Sequence, residues 1–244
     1  MCHPGRMSFE SRTATRLRPF MTTIFAEMSA LAVEHDAINL GGQGFPPDTD
    51  GPEAMLEAAR RAITDGHNQY PPGIGSWNCG MRSRATSAST TTSTTTPDRE
   101  VLITVGATEA VAGAIVGIIE PGDEVIMIEP YYDAYAATVA MAGGVRRVVP
   151  LVPDGDGFRL DRERLADAFG PKSAVFMLNT PHNPTGTVLS EDDLAEIARL
   201  CIEFDVIAVT DEVYEHLLFD GRTHTPAGDP ARDARAYAPD LQRR

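Results

Sequence analysis

Residues 173–214 read SAVFMLNTPHNPTGTVLSEDDLAEIARLCIEFDVIAVTDEVY. SAVFMLN is a continuous apolar run of strand length. SEDDLAEIARLCIEFD carries apolar residues at helical spacing, with Ser190 as N-cap and Asp193 at N3, close to a capping box. VIAVTDEVY is a second apolar run. Two strands that are apolar on both faces, joined by a crossover helix, make a parallel pair covered on each side.

The same alternation extends upstream. VLITVG (101–106), EVIMIEP (124–130) and VRRVVPLV (145–152) read as strands. Helices follow at 107–123, 131–144 and 161–170, the first closed by a Pro-Gly turn. The expected fold class is α/β, a mainly parallel central sheet with helices on both faces. Nearer the start, residues 20–36 have helical periodicity with Phe25, Met28, Leu31 and Ala32 on one face. EAMLEAARRAITDG (53–66) reads as a helix stopped at Gly66, between two Gly/Pro-rich loops.

Two segments break the pattern. Residues 76–96, SWNCGMRSRATSASTTTSTTT, have no period and read as a low-complexity linker. Arg222 to Arg244 lacks an apolar period and reads as disordered. Both fit a reading frame displaced by one base, because suitable codons for each give an ordered sequence in a shifted frame.

Hydrophobic residues make up 42% of the 244 and charged residues 23%, ordinary values for a globular chain. The formal net charge of −14 argues against nucleic acid or an anionic membrane as partner. Cys2, Cys79 and Cys201 form no disulfide framework and no metal-ligand spacing, so no metal site is expected. No signal peptide or membrane-length apolar run is expected, and a cytoplasmic location follows as the expectation.

Ligands collect at the carboxyl ends of strands in open α/β sheets. The ends here carry an uncommon set of residues. Gly106-Ala107-Thr108 opens a helix and offers backbone N–H groups to a phosphate, although a plain tight turn reads the same way. Tyr131-Tyr132 places aromatics where a planar ring would stack, or where a core would use them. Asn179 to Gly186 is a rigid polar turn after a buried strand, with Asn183 held extended by the following proline. Asp211 closes an apolar strand and needs a partner, for which a protonated pyridine nitrogen is suited. Tyr214 follows three residues on.

In this order, NTPHNPTG, the GATEA turn, EPYYDAY and VTDEVYEHLLFDG resemble the class I/II aminotransferases of pyridoxal-phosphate (PLP) fold type I. INLGGQGFPPDTDGP and NQYPPGIG are similar to the family's N-terminal region, near the kynurenine, cysteine-conjugate and succinyl-diaminopimelate branch. The resemblance implies pyridoxal 5′-phosphate as cofactor. It implies that Gly106, Ala107 and Thr108 contact the phosphate and that Tyr132 stacks on the ring. It further implies that Asn183 and Tyr214 bond the phenolic oxygen, that Asp211 pairs with the ring nitrogen, and that Asn179 lies beside the ring. Tyr70 resembles the tyrosine that reaches the neighbouring subunit's phosphate, which implies a homodimer. The resemblance also implies that Gly44 lies in the turn that meets the substrate carboxylate. Amino acid and 2-oxo acid substrates are implied, with aromatic, sulfur-containing or succinylated donors in that branch.

The implied organisation is an N-terminal arm and small-domain segment (1–45), a partial PLP-binding large domain (46–221) and an aberrant tail (222–244). The family's Schiff-base lysine lies downstream of the DEVY strand, and Lys172 is the one lysine present. No residue is therefore assigned as catalytic, and the 244-residue chain on its own is expected to be inactive. A non-catalytic PLP binder and a C–S β-lyase of the same fold remain alternatives. A Rossmann-type dinucleotide domain lacks its glycine fingerprint here.

Overall fold

A computed structural model describes residues 13–20, 22–39, 51–81 and 97–226. After a 3-10 turn at Thr15–Phe20 come α1 (Ile24–Glu34) and α2 (Glu53–Thr64). Then follow α3 (Gly106–Ile118), β1 (Glu124–Glu129), α4 (Asp133–Ala142) and β2 (Val145–Pro150). A small antiparallel pair, β3 (Val152–Asp154) and β4 (Gly157–Arg159), leads to α5 (Arg162–Ala168). The chain closes with β5 (Ser173–Asn179), α6 (Glu191–Glu203) and β6 (Ile207–Asp211).

The main sheet has the order β2-β1-β5-β6, and every pairing in it is parallel. Residues along each central strand alternate between two cores. Val125, Met127, Val175 and Met177 face Val111 and Ile115 of α3 and Val139 of α4. Ile126, Ile128, Phe176 and Leu178 face Leu165 of α5 and Ile197 and Leu200 of α6. Both faces are covered, which is why the strands read as unbroken apolar runs.

Local chemistry sets the ends. Ser190 Oγ accepts from the Asp193 N–H, and the Asp193 side chain answers to the Ser190 N–H, so the capping box at α6 is complete. Gly66 follows α2 at φ +86°, the left-handed stop expected there. Cys201 packs in the α6 core, and burial pushes its thiol up to about 12, so it acts as an apolar filler.

Four expectations change. VLITVG is not a strand: residues 101–104 are irregular, with Leu102 and Val105 exposed. An apolar run becomes a strand only where a neighbour takes up its N–H and C=O groups, and no described strand pairs with it. The α1 stripe is rotated: Phe25, Ser29 and Ala32 are half-buried, whereas Met28 and Leu31 are exposed. In the expected linker, residues 77–81 are helical, started by Ser76, whose hydroxyl accepts the Cys79 N–H at 3.4 Å. Its remainder, 82–96, lies outside the described residues. The tail is placed at its start, residues 222–226, where the half-buried His224 lies 3.0 Å from Glu212 through Nε2. Residues 227–244 lie outside the described residues.

No helix among the described residues is long and apolar enough to cross a membrane.

Candidate functional site

In parallel sheets all carboxyl ends share one edge. Asn179 and Asp211 end β5 and β6 as register partners at that edge. Asn179 Nδ2 donates to the Asp211 carbonyl at 2.8 Å, and its Oδ1 accepts the Asn183 N–H at 2.7 Å. One amide side chain thus ties β5 to β6 and to the NTPHNPTG turn. The Thr180–Pro181 and Asn183–Pro184 peptides in that turn are cis.

The half-buried Asp211 carboxylate is held at both oxygens. Tyr135 Oη donates to Oδ2 at 2.6 Å, and the Val213 N–H donates to Oδ1 at 3.2 Å. Tyr135 comes from the first turn of α4 and is 3% exposed. Burial, then the Asp211 bond and charge, raise its phenol well above the ordinary range, so it stays a donor. Tyr132 precedes α4 and meets the Tyr135 ring edge-on, with centroids 5.7 Å apart. Tyr132 and Tyr214 both add to the upward electrostatic shift of Tyr135, the phenol that bonds Asp211.

The phosphate candidate reaches the same edge by topology. α3 ends at Ile118, and a Pro-Gly turn then leads into the amino end of β1. Its start therefore lies one helix length away, about 20 Å at 1.5 Å per residue, which matches a strand's span. Gly106 has φ +76°, a value that disfavours side chains, and a Cβ there would meet nothing within 4 Å. The first turn, Gly106 to Thr108, is exposed; the Gly106 N–H donates to the Thr104 carbonyl at 2.9 Å, and the N–H groups of Ala107 and Thr108 lack intrahelical acceptors. Glu109 takes one amide at this end, accepting the Val105 N–H. These features fit pyridoxal phosphate: an anionic partner for the ring nitrogen, flanking phenols, and an open glycine at a helix start.

The remaining candidates stand apart. Tyr70 is 99% exposed on the loop after α2. Gly44 lies outside the described residues. Lys172 precedes β5, and its carbonyl accepts the Glu124 N–H at the amino edge. Seven strand residues, about 20 Å, separate it from Asp211.

Sequence reasoning missed Tyr135 and His182. Tyr135 follows Tyr132 at i+3, on the same helix face, and a buried phenol needs a partner; that was the available signal. His182 is 4% exposed, with Nδ1 at 2.9 Å from Thr185 Oγ1, which lies 2.8 Å from Thr187 Oγ1. Burial lowers its pKa from 6.5 to about 4, partly offset by the Ile128 carbonyl. Above pH 6.5 the ring is neutral whether folded or unfolded. Between 6.5 and about 4 only the unfolded chain takes the proton, so stability falls as pH falls. The full loss is about 3 kcal/mol. Urea unfolding across this window is expected to show it, with a shallower slope in His182→Gln; equal slopes would contradict it.

A further group missed by the sequence reading is Glu212, Glu215 and His224, whose ligand-capable atoms lie within 4.8 Å of one another. The His224–Glu212 contact fastens the segment after β6. A groove of about 660 Å³ beside β2, lined by Arg16, Phe20, Tyr131 and Arg146 among others, contains none of the residues to which the family resemblance gives a role.

Residues 36–237 match the family described as aminotransferase class I and II. A probable N-succinyldiaminopimelate aminotransferase of Mycobacterium tuberculosis is 53% identical over 214 residues, covering 88% of this chain and 53% of that protein. The methionine aminotransferase of Escherichia coli is 37% identical over 212 residues, covering 86% and 53%. The solved structure of the Mycobacterium tuberculosis N-succinyldiaminopimelate aminotransferase superposes with a TM-score of 0.84 at 53% identity, covering 88% of this chain and 56% of that one. The chain spans about half the length of the curated relatives it matches.

Proposed function

Because the chain belongs to the class I and II aminotransferase family, whose cofactor is pyridoxal 5′-phosphate, we propose that it forms the cofactor-holding half of a transaminase site. The observation that carries this reading is the Asp211 carboxylate, fixed by Tyr135 and the Val213 amide at the carboxyl edge of the sheet.

When bound, the cofactor supplies the electron sink that lets an amino group pass from an amino acid to a 2-oxo acid. The chain's own residues orient and polarise it. Asp211 accepts the ring N–H and keeps the ring cationic. Asn183 and Tyr214 donate to the phenolic oxygen, and Asn179 lies beside the ring, held in place by its two bonds to β6 and the turn. Tyr132 covers one ring face and shields it from water. The Ala107 N–H and the Thr108 hydroxyl receive the phosphate, aided by the helix dipole, and Gly106, whose N–H donates to the Thr104 carbonyl, gives the phosphate close contact by having no side chain.

Gly44 belongs to the substrate-carboxylate turn in this reading. The 53% identity to the mycobacterial protein supports a succinylated diamino acid as donor. The exposure of Tyr70 supports its reaching a second copy, and hence a homodimer. The two described cysteines, Cys79 and Cys201, are unpaired, which supports a cytoplasmic place of action. In this reading residues 1–45 form an N-terminal arm and small-domain segment, and residues 46–221 part of the large domain.

Lys172 cannot serve the site from the opposite edge, so the 244-residue chain by itself is expected to hold the cofactor reversibly and without turnover. The test is dialysis of the PLP-loaded chain, followed by borohydride reduction and mass mapping of a parallel sample. Full loss on dialysis, with no pyridoxyl group on Lys172, is expected. A stoichiometric adduct on Lys172 would contradict the assignment.

A further inference from the structure

We infer that Tyr135 is a positioning residue: its hydroxyl fixes the Asp211 carboxylate and keeps the shared proton on the cofactor's ring nitrogen rather than on the carboxylate. The inference rests on the cofactor reading above and adds a residue to it.

The geometry is specific. The two residues are 76 apart in sequence and come from α4 and β6, yet Oη to Oδ2 is 2.6 Å. Tyr135 is 3% exposed and packs with Val139, Val175 and Met177, so its ring has one place to be. Tyr132 closes its edge at a near-perpendicular 88°. A phenol locked in this way cannot turn to follow a moving carboxylate; the carboxylate must align with it. The Val213 N–H holds the other oxygen, which leaves the carboxylate plane defined by two donors from different elements.

The chemistry follows. A proton lying between a pyridine nitrogen and a carboxylate is shared according to the two groups' relative basicity. A hydrogen bond donated to a carboxylate favours its charged form. Tyr135 therefore biases the pair towards ring cation and carboxylate anion. The two donors that the structure places on the Asp211 carboxylate, the Tyr135 phenol and the Val213 amide, are both uncharged.

The test uses the full 244-residue chain with pyridoxamine 5′-phosphate labelled with nitrogen-15 in the ring. This probe needs no lysine. In the unaltered chain the bound ring nitrogen is expected to give the shift of a protonated ring at neutral pH. In Tyr135→Phe the shift is expected to move towards the unprotonated value, with the proton's distribution altered by about tenfold. Tyr135→His, which restores an N–H donor on a smaller ring, is expected to recover part of the movement. A purely structural role for Tyr135 would change affinity in both variants without moving the shift of the bound ring. Shifts equal to that of the unaltered chain in both variants would overturn the inference and leave the cofactor site standing. Failure of the unaltered chain to bind the probe would overturn the cofactor reading itself, and this inference with it.

Discussion

Asp211→Asn is expected to weaken binding of pyridoxamine 5′-phosphate by about ten- to a hundredfold. The substitution keeps size and shape. It leaves an oxygen that accepts from Tyr135 or from the Val213 amide, so the fold loses little. It removes the negative charge that pairs with the ring N–H. A hydrogen bond to a charged group in a partly buried site contributes about 1.5–3 kcal/mol, and each 1.4 kcal/mol is tenfold in affinity. Calorimetric titration of both proteins measures the ratio directly. An unchanged affinity would place the ring nitrogen away from β6. The exposed phosphate turn at α3 is not altered, so residual binding through the phosphate is expected to remain.

Phe176→Ala is expected to have the largest effect on stability. Phe176 is fully buried in the middle of β5, on the face packed by α5 and α6. Its ring stacks on Phe169 with centroids 5.8 Å apart and 10° between planes, and Phe169 in turn meets Phe204. Truncation opens a cavity beneath two helices whose ends are fixed by their caps, so the surroundings collapse only in part. Losses of about 3–5 kcal/mol are typical for such a change. That is a large fraction of a domain's usual 5–15 kcal/mol, given as an order of magnitude. Urea unfolding is expected to show a lower midpoint with an unchanged slope. A loss under about 1 kcal/mol would mean that the β5 core is not packed as described.

Much of this arrangement was legible in the sequence, for identifiable reasons. The β5–α6–β6 unit announces itself because burial on both faces demands unbroken apolar strands, and because Ser190 and Asp193 mark the helix start. Asp211 stood out as a charge at the end of such a strand, and the structure supplies the partners it required. Asn179 was placed beside a ring by resemblance, yet its bonds show a mechanical part as well, joining two strands and a turn. VLITVG misled because strand formation depends on a neighbour, which composition does not reveal. Tyr135 was hidden within a helical segment, where an aromatic at i+3 from Tyr132 reads as ordinary packing. His182 was hidden by its polar neighbours, although its pairing with Thr185 depends only on a three-residue spacing. Ordered residues at the start of the expected tail depended on a contact across 12 residues, His224 with Glu212, which no local pattern shows.

The most direct test of the account is a crystal structure of the 244-residue chain with pyridoxamine 5′-phosphate bound. The account predicts the ring nitrogen within about 3 Å of an Asp211 carboxylate oxygen, the distance of a charge-assisted hydrogen bond. It also predicts the phosphate at the Gly106–Thr108 turn and the Tyr135 bond to Asp211 intact. A ring bound elsewhere, with Asp211 turned to solvent, would contradict it.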